Sequence, residues 1–453
     1  MALGRQGAVQ DALLIGWHEV PTAPGHVFYD RLNAVLAEAG FDGRVEDLCA
    51  AHYAVGVGRP SIPPGRYFRM LFVGYFEGLD SKRGIAWRCA DSLSLRQFLK
   101  LGPGEAVPDH STLSRTRARL PLEVHDAVFA LVLGLLAGRG LIKGRQVGID
   151  TSTMEANAAM RSIVRREDGA GWQAMLGELA RTSGIATPSA DQLRQFDRTR
   201  QKKRVSNADW VSSADPEARI TRMKDGRTRL AYKPEHAVDL DTGAILAAPV
   251  HPGDAGDTRT LEATLEVAAA NLEPLDLAPT LEAPAEVVAD KGYHGREVLK
   301  RLDAGPWTTR VAEPGRKTVC RWHGDLDARR AVYGNRARLL SGVARVALLL
   351  RAVLCERAFA HVLDRGGMRR TWLRGRDNVA KRYLIHIAAY NLGLVMRTLL
   401  GAGTPRAVAD LRLLWLLVDD RLLIMLGLVR PASITAVAII RVTRDDPPLS
   451  TGC

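Results

Sequence analysis

The sequence has few of the features that mark several common classes of protein. Its 453 residues include only five cysteines, and none of them forms a CxxC pair. An odd number of widely spaced cysteines argues against a disulfide framework and a structural zinc site, and it fits a reducing cytoplasm. A G-x-S-x-G motif, a P-loop and a dinucleotide fingerprint are also missing, so the chemistries that depend on them are not indicated.

Long uninterrupted hydrophobic runs are missing as well. The most apolar segment, residues 411–440, is broken by Asp419, Asp420 and Arg421 and again by Arg430 and Pro431. Neither half reaches the roughly 20 apolar residues that a membrane-spanning helix needs. The N-terminus lacks the charged head and apolar run of a secretory signal. We therefore expect no membrane partner.

Positive charge, by contrast, is in excess. The chain has 63 Lys and Arg against 50 Asp and Glu, a formal net charge of +13 and a pI near 9.8. This balance favours a polyanionic partner, either nucleic acid or an anionic membrane. A basic surface that is merely solvated is the alternative.

The length of the chain predicts two or three compact units. Residues 1–142 are predicted to be mainly helical, with helices that begin near Arg66, at Ser92 and after Asp109, and a long apolar helix over 122–137. Strand patterns begin at Lys143, and a basic insertion is expected at about 157–230. The second unit ends near residue 400, and residues 401–453 are predicted to form an apolar C-terminal helical tail.

The second unit, residues 143–400, is predicted to contain a mixed sheet flanked by helices. Short strands are expected at 146–150, 286–290 and 307–311, with a hairpin over 231–250 that turns at Asp241-Thr242-Gly243. Helices are expected over 258–272, 295–302, 341–363 and 379–400. A hairpin near the start followed by crossover connections is typical of a mixed α/β fold.

Two aspartates share the same setting at the ends of predicted strands. Asp150 and Asp290 each follow an apolar strand and precede small or polar residues. Ligands gather at the carboxyl ends of strands in open α/β sheets. Two carboxylates there would form the hard, oxygen-rich site that Mg²⁺ or Mn²⁺ prefers. The alternative is that each aspartate caps a turn or the next helix.

A glutamate in a nearly apolar helix is the third acidic candidate. Only two of residues 343–354 are charged, which predicts a helix buried all round. Glu356, one turn further on, would then have to pair or bind a cation. A buried ion pair with Arg351 or Arg357 is the alternative. Three carboxylates can hold two divalent ions about 4 Å apart, which clamp the attacking and leaving oxygens of a phosphodiester.

Five segments in order make the chain resemble the transposases of bacterial insertion sequences, the DDE group with a ribonuclease-H-like catalytic core. They are residues 108–115 (PDHSTLSR), 148–152 (GIDTS), 232–239 (YKPEHAVD), 289–293 (ADKGY) and 356–361 (ERAFAH), the last followed by Arg374-Gly375-Arg376 and Tyr390-Asn391-Leu392. The resemblance covers about residues 60–400. It implies an N-terminal helical domain for DNA binding and assembly, and a catalytic domain interrupted by the insertion.

The resemblance also implies an activity. The expected reaction is metal-dependent cleavage and strand transfer at insertion-sequence ends, with Asp150, Asp290 and Glu356 as the catalytic and metal-binding triad. Two Mg²⁺ ions are implied, with Mn²⁺ able to substitute. The implied partners are double-stranded DNA, as terminal inverted repeats and target, and a second copy of the chain in a dimer that bridges two ends. The implied location is the bacterial cytoplasm, in association with the nucleoid.

Basic residues near the motifs are the predicted DNA contacts, and a solvated basic face is the alternative. They are Arg115, Arg117, Lys202, Lys203, Arg204, Lys291, Arg369, Arg370, Arg374, Arg376, Lys381 and Arg382. Trp210 or Trp322 could stack on a flipped base, although a place in the core is the alternative for each.

The sequence departs from the family around Glu356. Leu349 and Ala352 stand where family members often carry a Tyr and an Arg, and Asp364 stands where a Lys is expected. A catalytically degenerate DNA-binding protein that represses the element therefore remains an alternative. A simple metal-dependent nuclease is another.

Overall fold

A run of helices forms the N-terminal part of the protein. The computed structural model describes residues 24–54, 61–102, 104–185, 187–199, 206–315, 322 and 324–410. The first helices are α1 Pro24–Glu38, α2 Phe41–Cys49, α3 Pro64–Phe76, α4 Lys82–Ala90, α5 Leu93–Phe98, α6 His110–Arg119 and α7 Leu122–Ala137. Ser81, Ser92 and Asp109 each accept a hydrogen bond from a backbone N–H in the first turn of the helix that follows, and so cap α4, α5 and α6. The helices predicted from the sequence in this part are confirmed.

A mixed sheet forms the centre of the second part. Its strands are β1 Gln146–Thr151, β2 Met154–Glu155, β5 Arg219–Arg222, β6 Thr228–Asp239, β7 Ile245–Ala247, β8 Val250–Pro252, β9 Ala285–Ala289 and β10 Trp307–Val311. The order β10-β9-β1-β6-β2 runs across the sheet, and β5, β7 and β8 also pair with β6. Strands β9 and β10 are parallel to β1 and to each other, whereas β6 is antiparallel to β1. The predicted mixed α/β fold of the ribonuclease-H-like class is confirmed.

Helices flank this sheet. They are α10 Asp257–Leu272, α11 Arg296–Asp303, α12 Leu326–Leu340, α13 Ala344–Phe359 and α14 Arg376–Leu400. Helix α12 was not predicted, because its buried positions hold Ala328, Ala331, Val332 and Asn335, which leave no strong apolar stripe. Helix α13 is shorter than predicted and continues into a π-helical turn at Ala360–Arg365.

The insertion between β1 and β6 is more structured than expected. It holds α8 Trp172–Thr182 and α9 Ala190–Thr199, and also a two-stranded ladder of β3 Ile163–Arg165 with β4 Trp210–Ser212. These strands are only three residues long, too short to show a clear apolar alternation in the sequence. Strand β5 pairs with β6, so the end of the predicted insertion belongs to the sheet.

The prediction that α13 is buried all round is wrong. Ala347, Arg351 and Cys355 face the sheet and are buried, but the opposite side is exposed. Val343, Val346, Leu349, Leu350 and Val353 are between 38% and 62% exposed. The composition misled here because the outward face is as apolar as the inward one. Glu356 is also exposed, so burial does not force it to pair.

Helix α14 joins the helical part to the sheet. It packs against α7 and α3 as well as β8, within one continuous core. The segment Arg376–Asp410 is long and apolar enough to cross a membrane, but 72% of its most apolar window is buried inside the protein, as in a core helix. The helical part and the sheet therefore share one hydrophobic core, so residue 142 divides the order of the elements and does not divide the core. The domain boundaries stay a prediction. The apolar segment 411–440 lies outside the described residues.

Asn391 explains one motif of the resemblance. Its side-chain amide donates to the Ile245 carbonyl at 2.8 Å and its Oδ1 accepts from the Ile245 N–H at 3.0 Å. Asn391 is fully buried. The residue thus pairs with β7 as a neighbouring strand would, and it fixes α14 to the sheet.

Replacing Asn391 with Leu should destabilise the protein without changing its fold. The variant leaves a buried N–H and a buried C=O of Ile245 without partners, which costs about 2–4 kcal/mol. Urea unfolding followed by circular dichroism measures the change. Thr398→Leu, at an exposed position on the same helix, is the control and should change stability by less than about 0.5 kcal/mol. Equal effects of the two variants would contradict this role of Asn391.

Candidate active site

Asp150 and Asp290 lie side by side at one edge of the sheet. Strands β1 and β9 are parallel, with Gln146 level with Glu286 and Gly148 level with Val288. The same register carried two residues further brings Asp150 level with Asp290, where both strands end. Each carboxylate accepts a 2.8 Å hydrogen bond from a nearby backbone N–H, that of Thr151 for Asp150 and that of Gly292 for Asp290.

The Arg351 guanidinium lies between these two carboxylates. Its Nη2 is 2.9 Å from Asp150 Oδ1 and 3.8 Å from Asp290 Oδ2. Its Nε donates to the Ile149 carbonyl at 2.9 Å, which ties α13 to β1. Burial raises the pKa of Asp150, and Arg351 and the Thr151 N–H partly oppose that rise. Arg351 therefore pairs with the aspartates, and the alternative of an Arg351–Glu356 ion pair is not what the structure contains.

Gly148 permits the close approach of α13 to β1. A Cβ atom at this position would stand 2.6 Å from Leu240 Cδ2 and 3.3 Å from both Arg351 Cγ and Cys355 Sγ. A side chain here would press on Leu240 and tighten the contacts with Arg351 and Cys355 on α13. The glycine two positions before Asp150 thus has a packing role.

Glu356 is not brought into a common site with the two aspartates. Within the described ranges, no three His, Cys, Asp or Glu side chains are arranged to hold a metal ion. Asp150 and Asp290 present hard oxygen donors at one edge and fit a divalent ion in their chemistry. Arg351 already supplies one positive charge there.

A buried polar network lies beside the aspartates, and the sequence reasoning missed it. Glu235 on β6 is fully buried and accepts hydrogen bonds from the hydroxyls of Thr260 and Tyr293, at 2.9 and 2.8 Å. Lys233, also on β6, pairs with Asp257 at the start of α10. Charged residues within the segment 232–239 were the available signal, because a strand flanked by apolar strands rarely holds them without partners.

The predicted DNA contacts divide by exposure. Arg115, Lys291, Arg369, Arg370, Arg374 and Arg376 are exposed. Arg117 is partly buried and donates to Asn378 Oδ1 at 3.1 Å. Lys202, Lys203 and Arg204 lie outside the described residues. DNA contact by the exposed residues stays a prediction.

Two of the predicted DNA contacts are buried in α14. Lys381 is 6% exposed and pairs with Asp377, and Arg382 is 8% exposed and donates to the Leu79 carbonyl. Burial lowers the pKa of Arg382 to about 10. The prediction that these two residues reach DNA is wrong for this structure, because a long helix in a core can carry basic side chains that interact inward.

The two tryptophans suggested for base stacking pack within the protein. Trp210 is 7% exposed and lies edge-on against Trp172. Trp322 is partly buried against the core, with the Arg296 guanidinium over its ring at 5.0 Å. A place in the core is therefore the better description of both side chains.

Two family models match the chain. Residues 19–119 match the family described as "Transposase domain (DUF772)", and residues 194–392 match the one described as "Transposase DDE domain". The chain belongs to the DDE transposases of the insertion-sequence type. Together the matches cover about two thirds of this transposase, in the order that the resemblance requires. No curated protein and no solved structure matches it.

The extent of the match bears on the acids of the transposase. Asp290 and Glu356 fall within residues 194–392, whereas Asp150 and β1 precede that segment. The assignment of Asp150 to the site therefore rests on its position beside Asp290 and not on the family match. Membership implies that the transposase binds DNA.

Replacing Gly292 with Ala should strain this edge of the sheet. A Cβ atom there would stand 2.5 Å from Asp257 Oδ2 and 3.0 Å from Asp290 Oδ1, so one of the carboxylates must move. We expect a loss of about 1–3 kcal/mol in the free energy of unfolding. Gly134→Ala in α7, where a Cβ meets nothing within 4 Å, should be neutral or stabilising by up to about 1 kcal/mol. Urea unfolding of both variants tests this, and an unchanged G292A would contradict the packing.

Proposed function

We propose that this transposase cleaves DNA at the ends of its element and joins them to target DNA, using divalent metal ions held at the Asp150–Asp290 edge. The observation that carries the proposal is the pair of carboxylates at the ends of two adjacent parallel strands. Such an edge collects ligands in α/β sheets, and its oxygen donors suit Mg²⁺ or Mn²⁺. We propose two Mg²⁺ ions, as the family resemblance implies.

Asp150 and Asp290 would hold the metal. When bound, the ions would supply activation of a water or a DNA 3′-hydroxyl and stabilisation of the departing oxygen. The protein residues then position these groups. The Thr151 and Gly292 N–H groups orient the two carboxylates, and Arg351 limits their mutual repulsion while no ion is present.

Glu356 is the proposed third acid. It lies within the segment that matches the DDE family model and five residues after Arg351 on α13. Its exposed side chain is free of the core packing that holds Cys355 and Phe359. Participation in the site would require α13 to shift when DNA and metal bind.

The exposed basic residues give the proposed path of the DNA. Arg369, Arg370, Arg374 and Arg376 lie in one stretch after α13, and Lys291 directly follows Asp290. Guanidinium groups there can contact phosphates next to the scissile bond. Residues 1–142, with Arg115 on α6, would contribute further DNA contacts and the assembly of a dimer that bridges two ends. We propose terminal inverted repeats as the substrate and the cytoplasm, on nucleoid DNA, as the location.

A non-catalytic DNA-binding repressor is the second candidate. The observation in its favour is that, among the described residues, no third acidic side chain completes a metal-holding group with the two aspartates. Loss of the family's usual Tyr and Arg, at Leu349 and Ala352, points the same way. A protein that occupies the element's ends without cutting them would keep the exposed arginines and tolerate the loss of a third acid.

Cleavage of duplex DNA that flanks the gene tests the proposal. With Mg²⁺ or Mn²⁺, the wild-type chain should cut at the element's ends and join a supplied pre-cut 3′-hydroxyl end to target DNA. Asp150→Asn, Asp290→Asn and Glu356→Gln should each slow cleavage by on the order of 10³-fold, equivalent to about 4 kcal/mol of barrier. Gel mobility shifts should show that all three variants still bind the duplex.

Asp241→Asn is the matched control. Asp241 lies in the turn after β6, at the opposite edge of the sheet, where it pairs with Arg145 at 3.3 Å. This variant should cleave as the wild type does. End binding by the wild type without cleavage in either metal would favour the repressor, and cleavage without joining would favour a simple nuclease. Normal cleavage by E356Q alone would remove Glu356 from the triad.

A matched pair of arginines tests the DNA path. Arg374→Met should weaken binding to the same duplex and reduce the slope of log K against log salt by about 1, because one phosphate contact is lost. Arg382→Met should leave the slope unchanged, because Arg382 is buried in α14. Fluorescence anisotropy over a salt series measures both. Equal slopes for R374M and the wild type would exclude Arg374 from the DNA contacts.

A further inference from the structure

We propose that Asp257, held by Lys233, is a positioning residue that sets the geometry of the Asp150–Asp290 edge. Neither residue belongs to the proposed triad, and the inference rests on the function proposed above. Its basis is a chain of contacts that starts at a buried lysine, reaches Asp150 through Thr151 and places Asp257 near Asp290. The chain joins β6, the start of α10 and the end of β1.

The first branch of this chain leads to Asp150. Asp257 Oδ1 accepts a hydrogen bond from Thr151 Oγ1 at 3.3 Å. Thr151 is the last residue of β1, and its N–H donates to Asp150 Oδ1 at 2.8 Å. The same residue therefore binds Asp257 with its side chain and Asp150 with its backbone. Movement of Asp257 would release the end of the strand on which Asp150 is oriented.

The second branch leads to Asp290. Asp257 Oδ2 and Asp290 Oδ1 lie 2.5 Å and 3.0 Å from one point, the position that a Cβ of Gly292 would occupy. The two oxygens are therefore no more than about 5.5 Å apart. Two carboxylates at this separation repel each other unless a cation compensates one of them.

Lys233 supplies that cation. Its side chain is 9% exposed, and its ammonium group donates to Asp257 Oδ1 and to the Ala255 carbonyl, the latter at 2.7 Å. A buried ammonium group needs such partners, so the Asp257 carboxylate and the Ala255 carbonyl together fix the position of the Lys233 side chain. Because Oδ1 is engaged by Lys233 and Thr151, we assign Asp257 to positioning and not to the metal.

Direct binding of Mn²⁺ to the full chain tests this assignment without relying on catalysis. Electron paramagnetic resonance measures free Mn²⁺ during titration of the wild type and of Asp257→Asn, Thr151→Val and Lys233→Met. Loss of a group that orients metal-binding carboxylates typically weakens metal binding 10- to 100-fold. We expect the Mn²⁺ dissociation constant to rise about 10-fold in D257N and severalfold in T151V. Affinity for DNA should not change.

The Lys233→Met variant distinguishes a positioning role of Asp257 from a purely electrostatic effect on Mn²⁺ binding. Removing a cation close to the aspartates would tighten Mn²⁺ binding if charge alone mattered. Positioning predicts the opposite, because Asp257 loses its anchor, so K233M should bind Mn²⁺ more weakly than the wild type. T151V removes one hydroxyl at a partly exposed site and is the variant expected to fold even if the others do not.

Asp325→Asn is the matched control for the pair. Asp325 also stands at the start of a helix, is 30% exposed against 31% for Asp257, and pairs with a lysine, Lys300, at 3.0 Å. D325N should bind Mn²⁺ as the wild type does, while its thermal unfolding reports the cost of losing such a pair.

The outcomes distinguish this inference from the function on which it rests. If the wild type binds Mn²⁺ and D150N does not, while D257N, T151V and K233M bind it normally, the positioning role is overturned and the metal site stands. Tighter binding by K233M would also overturn it. A wild type that binds no Mn²⁺, or binds it as D150N does, would overturn both proposals.

Discussion

The parallel pairing of β1 with β9 is the constraint on which the candidate site depends. It sets Gly148 level with Val288 and so carries Asp150 and Asp290 to the same height. A slip of one residue would turn one aspartate to the other face of the sheet. Because side chains pack on both faces of these strands, such a slip would also exchange the residues packed on each face, so the register is strongly specified.

Charge compensation at this edge contrasts with the charge of the whole chain. The protein is strongly basic, yet this edge carries Asp150 and Asp290, with Asp257 hydrogen-bonded to the neighbouring Thr151. Arg351 compensates Asp150 and, more distantly, Asp290, while Lys233 compensates Asp257. The exposed carboxylate of Asp290 retains the least compensation and is the most open to a cation from solvent. A basic surface around an acidic edge suits a substrate that brings its own negative charge.

The sequence predicts a feature of this structure where the signal for that feature lies within one short segment. The strands ending at Asp150 and Asp290 were predicted because an apolar run followed by an acid is visible in one short segment. The face of α13 that lies inward could not be predicted, because both faces are apolar. Asp257 was missed for a different reason, since an acid in the first turn of a helix is ordinary and its partners lie on β1 and β6. Lys381 and Arg382 misled because exposure depends on what packs over a helix, and α14 lies in the core.

The insertion is attached to the sheet in a way that allows its length to change between copies of such a gene. It leaves the sheet after β2 and returns at β5, two strands that both pair with β6, and its own ladder of β3 with β4 closes on itself. Residues between β3 and β4 can therefore be inserted, deleted or replaced without changing the pairing of the strands that carry Asp150 and Asp290. We expect the length of this segment to differ among related genes while the flanking reading frame and strand pairing are kept.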